Sequence, residues 1–282
     1  MSTLPVTTSV REDDDAVAAA IGHLASACLQ LEVMTYPKPG LVSQIDNGAH
    51  DDMDAALMCR SAAALKPYFV ELGQAGMDGA RMPELRAIGL AAERAMMAAT
   101  EGVNTHRGAI FGMGLLCAAA GFRAAFKPGG TLGAVIAREW GDGIVEGPVT
   151  VDSHGARVSR FFNVGGARKE AASGFPSIYA CALPAVLQGE SLRPRDIEAA
   201  RVHALMSLIA QVDDTNLLYR GGADALSFAR AQASGFLARG GVGAPDWRAA
   251  AIAMHHAFVA RRLSPGGCAD LLAMTLFVRH AG

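Results

Sequence analysis

Apolar residues along this chain recur at the period of a helix. Val17, Ile21, Leu24, Cys28 and Leu31 follow one another at spacings of three and four, which lines them up as one stripe. A helix is therefore predicted from Asp13, after a patternless arm of 12 residues expected to be disordered. Pro37, Pro39 and Gly40 end it, because proline lacks an amide donor and fixes its own backbone angle. A loop is expected over 35–51, then helices over 52–73, with Asp52 at the start, and over 83–100, with Pro83 in the first turn.

A fourth helix is predicted over 106–125. Gly108, Gly112 and Gly114 weaken it but permit close approach of another helix or a ligand. Residues 127–166 are rich in Gly and Pro and carry a short predicted helix over 132–139; Val149 and Val151 read as irregular rather than as a strand. Further helices are predicted over 167–186, kinked near Pro176, and over 194–213, striped by Val202, Leu205, Ile209 and Val212. The last three cover 223–237, 247–262 and 266–279. No period-2 run and no strand–helix alternation appears. The expected fold is all-α: one compact multi-helix domain over residues 13–282, with Gly/Pro-rich loops lining one polar cleft.

Composition agrees with a packed core. Of 282 residues, 51% are hydrophobic and 18% charged, which sets the chain apart from disordered sequences. A net charge of −2 argues against a general nucleic-acid binder. Polar or ionised residues interrupt every Ala-rich run, so no membrane span is expected. The start, MSTLPVTTSVREDDD, has no basic segment followed by an apolar one, and a cytoplasmic location is the default expectation. The five cysteines form no CxxC pair and read as free thiols rather than zinc ligands.

Four polar islands break the apolar background. The first runs from Glu32 to Asp54 and holds Lys38 between two prolines, then Asp46, His50 and Asp52. A lysine on a stiff turn suits a phosphate; the carboxylates and His50 could ligate a metal, orient water or merely cap the loop. The second, Asn104, Thr105, His106, Arg107 and Gly108, stands at a helix start, where free amides favour an anion and where Asn104 or Thr105 could equally be a cap. The third is Asp213, Asp214, Thr215 and Asn216 with Arg220, Gly221 and Gly222. Two adjacent carboxylates at a helix end suit Mg²⁺ or a solvated pair. In the fourth, Gly266 and Gly267 open a helix and Asp270 falls in its first turn. Together the islands point to an enzyme that binds phosphate and Mg²⁺ in one cleft, without naming the reaction.

In order and spacing these islands resemble the triphosphoribosyl-dephospho-CoA synthase family. The matching runs are Tyr36–Val42, Asp46–His50 with Asp52 and Met53, Gly102–Phe111, Asp213–Asn216 with Arg220–Gly222, and Ser264–Leu272. The run Tyr36–Val42, residues 52–54 and the helix Gly108–Gly121 look more like the branch serving malonate decarboxylase than the one serving citrate lyase. The resemblance implies a pentosyltransferase. ATP and 3'-dephospho-CoA would give 2'-(5''-triphosphoribosyl)-3'-dephospho-CoA and adenine. The product, a prosthetic-group precursor, would pass to a separate holo-acyl-carrier transferase.

Under that resemblance the acceptor 2'-hydroxyl attacks C1' of the ATP ribose. Asp52 or Asp46, with Glu32 third, would act as the catalytic carboxylate, and His106, then His50, would protonate the departing adenine. Lys38, Arg107 and Arg220 would take phosphate oxygens, with Asn104, Thr105, Asn216, Gly266 and Gly267 also at the substrate. Mg²⁺ would sit on Asp213 and Asp214, with Asp270 joining or supporting it. A homodimer is the default oligomer. The competing readings are a Mg²⁺-dependent hydrolase of ADP-ribosyl N-glycosidic bonds and a non-enzymatic helical chaperone of a carrier protein.

Overall fold

The computed structural model describes residues 7–148, 158 and 165–282, and, of residues 7–12, the backbone alone. Among the described residues there is no strand, as the missing period-2 pattern predicted. The helices are α1 (Thr7–Val33), α2 (Ala55–Met77), α3 (Met82–Ala99), α4 (Arg107–Phe126), α5 (Leu132–Glu146), α6 (Gly166–Ala172), α7 (Leu183–Leu192), α8 (Ile197–Gln211), α9 (Thr215–Ala238), α10 (Trp247–Ala260) and α11 (Gly266–Ala281). A π-helical turn, Ser177–Ala182, leads into α7.

Several boundaries differ from the sequence reading. Helix α1 begins at Thr7, inside the stretch expected as an arm; residues 1–6 lie outside the described residues, as do Val149 and Val151. Asp54, not Asp52, caps α2, accepting the Leu57 amide at 2.7 Å. The predicted 167–186 helix is broken between Ala172 and Ser177, where Gly174 and Phe175 take positive φ. Helix α9 is bent at Gly221 and Gly222, the latter at φ 66°, so Ala223 starts its second half as predicted.

Helix α4 is the axle of the fold and packs against α1, α2, α3, α5 and α11. Its small residues explain how. A Cβ on Gly121 would collide with the Gly73 carbonyl of α2, and one on Gly112 with the Met274 sulfur of α11. Glycine here admits neighbouring backbones that any side chain would hold off. By length and composition α4 and the Asp13–Val33 part of α1 could each cross a membrane, but 67% of the α4 window is buried inside the protein, as in a core helix. The five cysteines are all free, and four are buried.

Candidate functional site

The first turns of three helices meet at one place. Asp214, buried at the start of α9, accepts the amides of Asn216 at 2.8 Å and Leu217 at 3.2 Å through Oδ1. Its Oδ2 accepts the Cys268 amide of α11 at 2.8 Å. One carboxylate thus caps two helices and clamps their N-termini together. From the same turn of α11, Asp270 lies against α4, close enough that a Cβ on Gly108 would strike its Oδ2. Burial, then the neighbouring Glu32 and Asp214 carboxylates, push the Asp270 pKa well above the ordinary range. Burial also raises that of Asp214, against the lowering pull of its amide bonds.

Lys38 and Glu32 stand beside this junction. Lys38 is 1% exposed, and its Nζ donates to the Glu32 carbonyl at 2.7 Å and to Glu32 Oε1 at 2.5 Å. Burial lowers the ammonium pKa, opposed by Glu32. His106 is the N-cap residue of α4. Its Nδ1 lies 2.7 Å from the Ser61 hydroxyl of α2, and Ser61 accepts from Thr105 Oγ1 at 2.7 Å. His106 Nε2 is buried without a hydrogen-bond partner. Burial, and then the Lys38 charge, push its pKa down to about 4, so the ring is neutral at pH 7.

A second cluster adjoins the first through the 264–266 turn. His50 Nε2 lies 2.9 Å from Ser264 Oγ, and Arg220 Nη2 lies 3.3 Å from His50 Nδ1. Arg220 Nη1 donates to the carbonyls of Ala49 and Arg262. Burial, then Arg220, lower the His50 pKa against the pull of Asp52. His255, fully buried and outside every sequence motif, organises the Pro-Lys-Pro-Gly loop. Its Nδ1 lies 2.7 Å from the Lys38 carbonyl and its Nε2 lies 3.0 Å from Asp46. Asp46 also accepts the Gly48 amide. A buried histidine carries no spacing signal, so the sequence did not mark it.

The islands converge, but several residues sit differently from their expected roles. Asp213 is exposed and pairs with Arg230 at 2.8 Å, turned from Asp214. Arg107 pairs with Glu93 of α3. Lys38 is engaged by Glu32 rather than presented to phosphate, and Thr105 bonds Ser61. Asn104 accepts the Arg107 amide at 3.3 Å, at the start of α4. Asp52 is exposed, 3.6 Å from His50. Asn216 packs on Gly266, where a Cβ would lie 3.0 Å from its amide nitrogen, and Gly266 and Gly267 are partly exposed at the α11 start.

Of the three carboxylates expected on Mg²⁺, Asp213 pairs with an arginine, Asp214 accepts three amides, and Asp270 lies within electrostatic reach of Asp214. Among the described residues no group of three His, Cys, Asp or Glu side chains could hold a metal. Cavities of about 460 and 360 Å³ open at the far ends of α4 and α11, beside Arg123 and Ala281 or Gly282, away from the junction.

Fold and site define an all-helical protein whose buried Lys–Glu, His and Asp groups gather where three helices begin. Residues 18–282 match the family model described as CitG, ATP:dephospho-CoA triphosphoribosyl transferase, and the chain belongs to this family. It is 42% identical to a probable 2-(5''-triphosphoribosyl)-3'-dephosphocoenzyme-A synthase of Pectobacterium carotovorum, over 92% of this chain and 88% of that one. The identity to the synthase of Pectobacterium atrosepticum is also 42%, with the same coverage. The Klebsiella pneumoniae synthase is 41% identical over 93% of this chain and 95% of its own. No solved structure matches.

Proposed function

We propose that this protein transfers the triphosphoribosyl group of ATP to the 2'-hydroxyl of 3'-dephospho-CoA and releases adenine. The observation that carries this reading is the junction itself. Three helix N-termini, each with partial positive charge, meet beside Asp270 and His106. Such a place suits a polyanion whose C1' becomes cationic during reaction.

In the step proposed, the acceptor oxygen forms a bond to C1' and the bond from C1' to the adenine nitrogen breaks. Its electron pair leaves with adenine. The hydroxyl proton passes to the ionised form of Asp270, the carboxylate that lies at the junction against Gly108. Asp270 returns that proton to solvent and adenine takes one up from it, so the proton count is unchanged. Neutral His106 donates a hydrogen bond to the leaving base instead of acting as the imidazolium acid first expected. Arg220 and the amides at Gly266 and Gly267 receive phosphate oxygens. Mg²⁺ bound with ATP would neutralise triphosphate charge, and Asp270 and Asp214 are the junction carboxylates that would face it.

The run Tyr36–Val42, residues 52–54 and the helix Gly108–Gly121 favour a malonate decarboxylase carrier over a citrate lyase one as the product's destination, reached through a separate transferase. Incubation with ATP and 3'-dephospho-CoA tests the reaction, with free adenine and product mass as readouts. Adenine and the coupled product are expected in equal amounts. Ribosyl triphosphate released to water regardless of acceptor would mark a hydrolase and overturn the reading.

A further inference from the structure

Ser61 lies in the N-terminal third of α2, fully buried, in the run Ser-Ala-Ala-Ala. Alanine there would favour the helix and would bury no polar group. Yet both 2.7 Å hydrogen bonds of the Ser61 hydroxyl cross to the segment that opens α4, one to Thr105 and one to His106. A third contact steadies the same segment: the His106 amide donates to Met96 Sδ at 3.2 Å.

Thr105 Oγ1 donates to Ser61, which leaves the one Ser61 proton free for His106 Nδ1, 2.7 Å away. A neutral imidazole that accepts at Nδ1 carries its proton on Nε2. That nitrogen is the ring atom with no protein partner, and it is buried. His106 stands two residues before Gly108, the residue that Asp270 touches, so the α4 start carries this donor to the edge of the junction.

We infer that Ser61 is a positioning residue for the transfer: with Thr105 it forms a hydroxyl chain that locks His106 as the Nε2–H tautomer and aims that donor at the departing adenine. This rests on the function proposed above, with His106 as the group that touches substrate. Ser61 and Thr105 act only through it. Without the chain both tautomers become available, and the one with a bare Nε2 offers a lone pair where the leaving nitrogen needs a donor.

The test uses the full chain, with ¹⁵N chemical shifts of the His106 side chain and steady-state adenine release. Wild type is expected to show the Nε2–H form. Ser61→Ala and Thr105→Val are expected to show a tautomer mixture and about 10- to 100-fold lower kcat, with KM for ATP within about 3-fold. Thr105→Ser keeps the hydroxyl and is expected to restore wild-type values. An Nδ1–H signal in wild type overturns the inference whatever the variants do. His106→Gln separates the two levels. If it is inactive while Ser61→Ala and Thr105→Val match wild type, the site stands and the positioning role falls. If His106→Gln is fully active, the reading of His106 fails and the role assigned to Ser61 goes with it.

Discussion

The Asp270 carboxylate occupies the space a side chain would need on Gly108. This single approach joins the second and fourth polar islands, 162 positions apart in sequence, and sets the distance between the α4 and α11 starts. Gly108→Ala should displace Asp270 while leaving the helices intact. Adenine release is expected to fall at least about 10-fold, since displacements on the scale of 1 Å at a reacting group cost up to about 100-fold. Unchanged kcat with an unchanged circular dichroism spectrum would show that Asp270 tolerates the shift.

Asp270 also sets function against stability. Its folded pKa is raised, so the native state holds a proton that the unfolded chain has already lost, and native stability falls as pH climbs through that interval. Asp270→Asn removes the penalty. The variant is expected to be about 1 kcal/mol more stable in urea at pH 7 and to lose adenine release. A less stable variant would mean that the carboxylate has a structural partner.

The buried ion pair is expected to break asymmetrically. Lys38→Met strands the Glu32 carboxylate in the interior and should cost about 3 kcal/mol by urea denaturation. Changing Glu32→Leu as well should recover most of that loss, because the stranded charge goes too. Equal losses in the single and double variants would place the effect in packing around the Pro-Lys-Pro-Gly loop.

Asp213→Asn should leave both kcat and the Mg²⁺ requirement within about 2-fold of wild type, because the side chain faces Arg230 at the surface. A Mg²⁺ titration of adenine release checks this. A strongly right-shifted curve would return Asp213 to the metal.

Acid should unfold the protein earlier than its surface charges alone would suggest. His203 is 2% exposed, both ring nitrogens lack partners, and burial lowers its pKa. The His106 pKa is lowered to about 4. For both, stability is full above about pH 6.5 and is lost as pH falls toward the folded value, because only the unfolded chain takes up the proton. Calorimetry at pH 7.5 and 5.0 should show a drop in melting temperature that His203→Leu reduces. An equal drop in that variant would assign it to other groups.

The sequence carried the helices well. Stripes such as Val202, Leu205, Ile209 and Val212 are a direct record of which face is buried, and α8 follows them. It also marked the islands that meet. What it could not give was side-chain direction after a turn. Asp213 and Asp214 are chemically identical neighbours, but one caps two helices and the other faces solvent and Arg230. Lys38 looked like a free cation because its partner Glu32, six residues earlier, is joined to it only by the Pro-induced reversal. Ser61 and His255 gave no signal, since a lone hydroxyl or imidazole on an apolar face looks like core until its partner across the fold is known.

Twelve residues of α4 are buried, on every side of the helix. A segment enclosed in this way has no face on which sequence can drift freely, and its first turn cannot be re-aimed without repacking several neighbours at once. Anyone wishing to retarget the transfer to another acceptor would therefore do better to vary exposed positions of the bordering loops, such as Gln44, Ile45, Asp51 and Arg262.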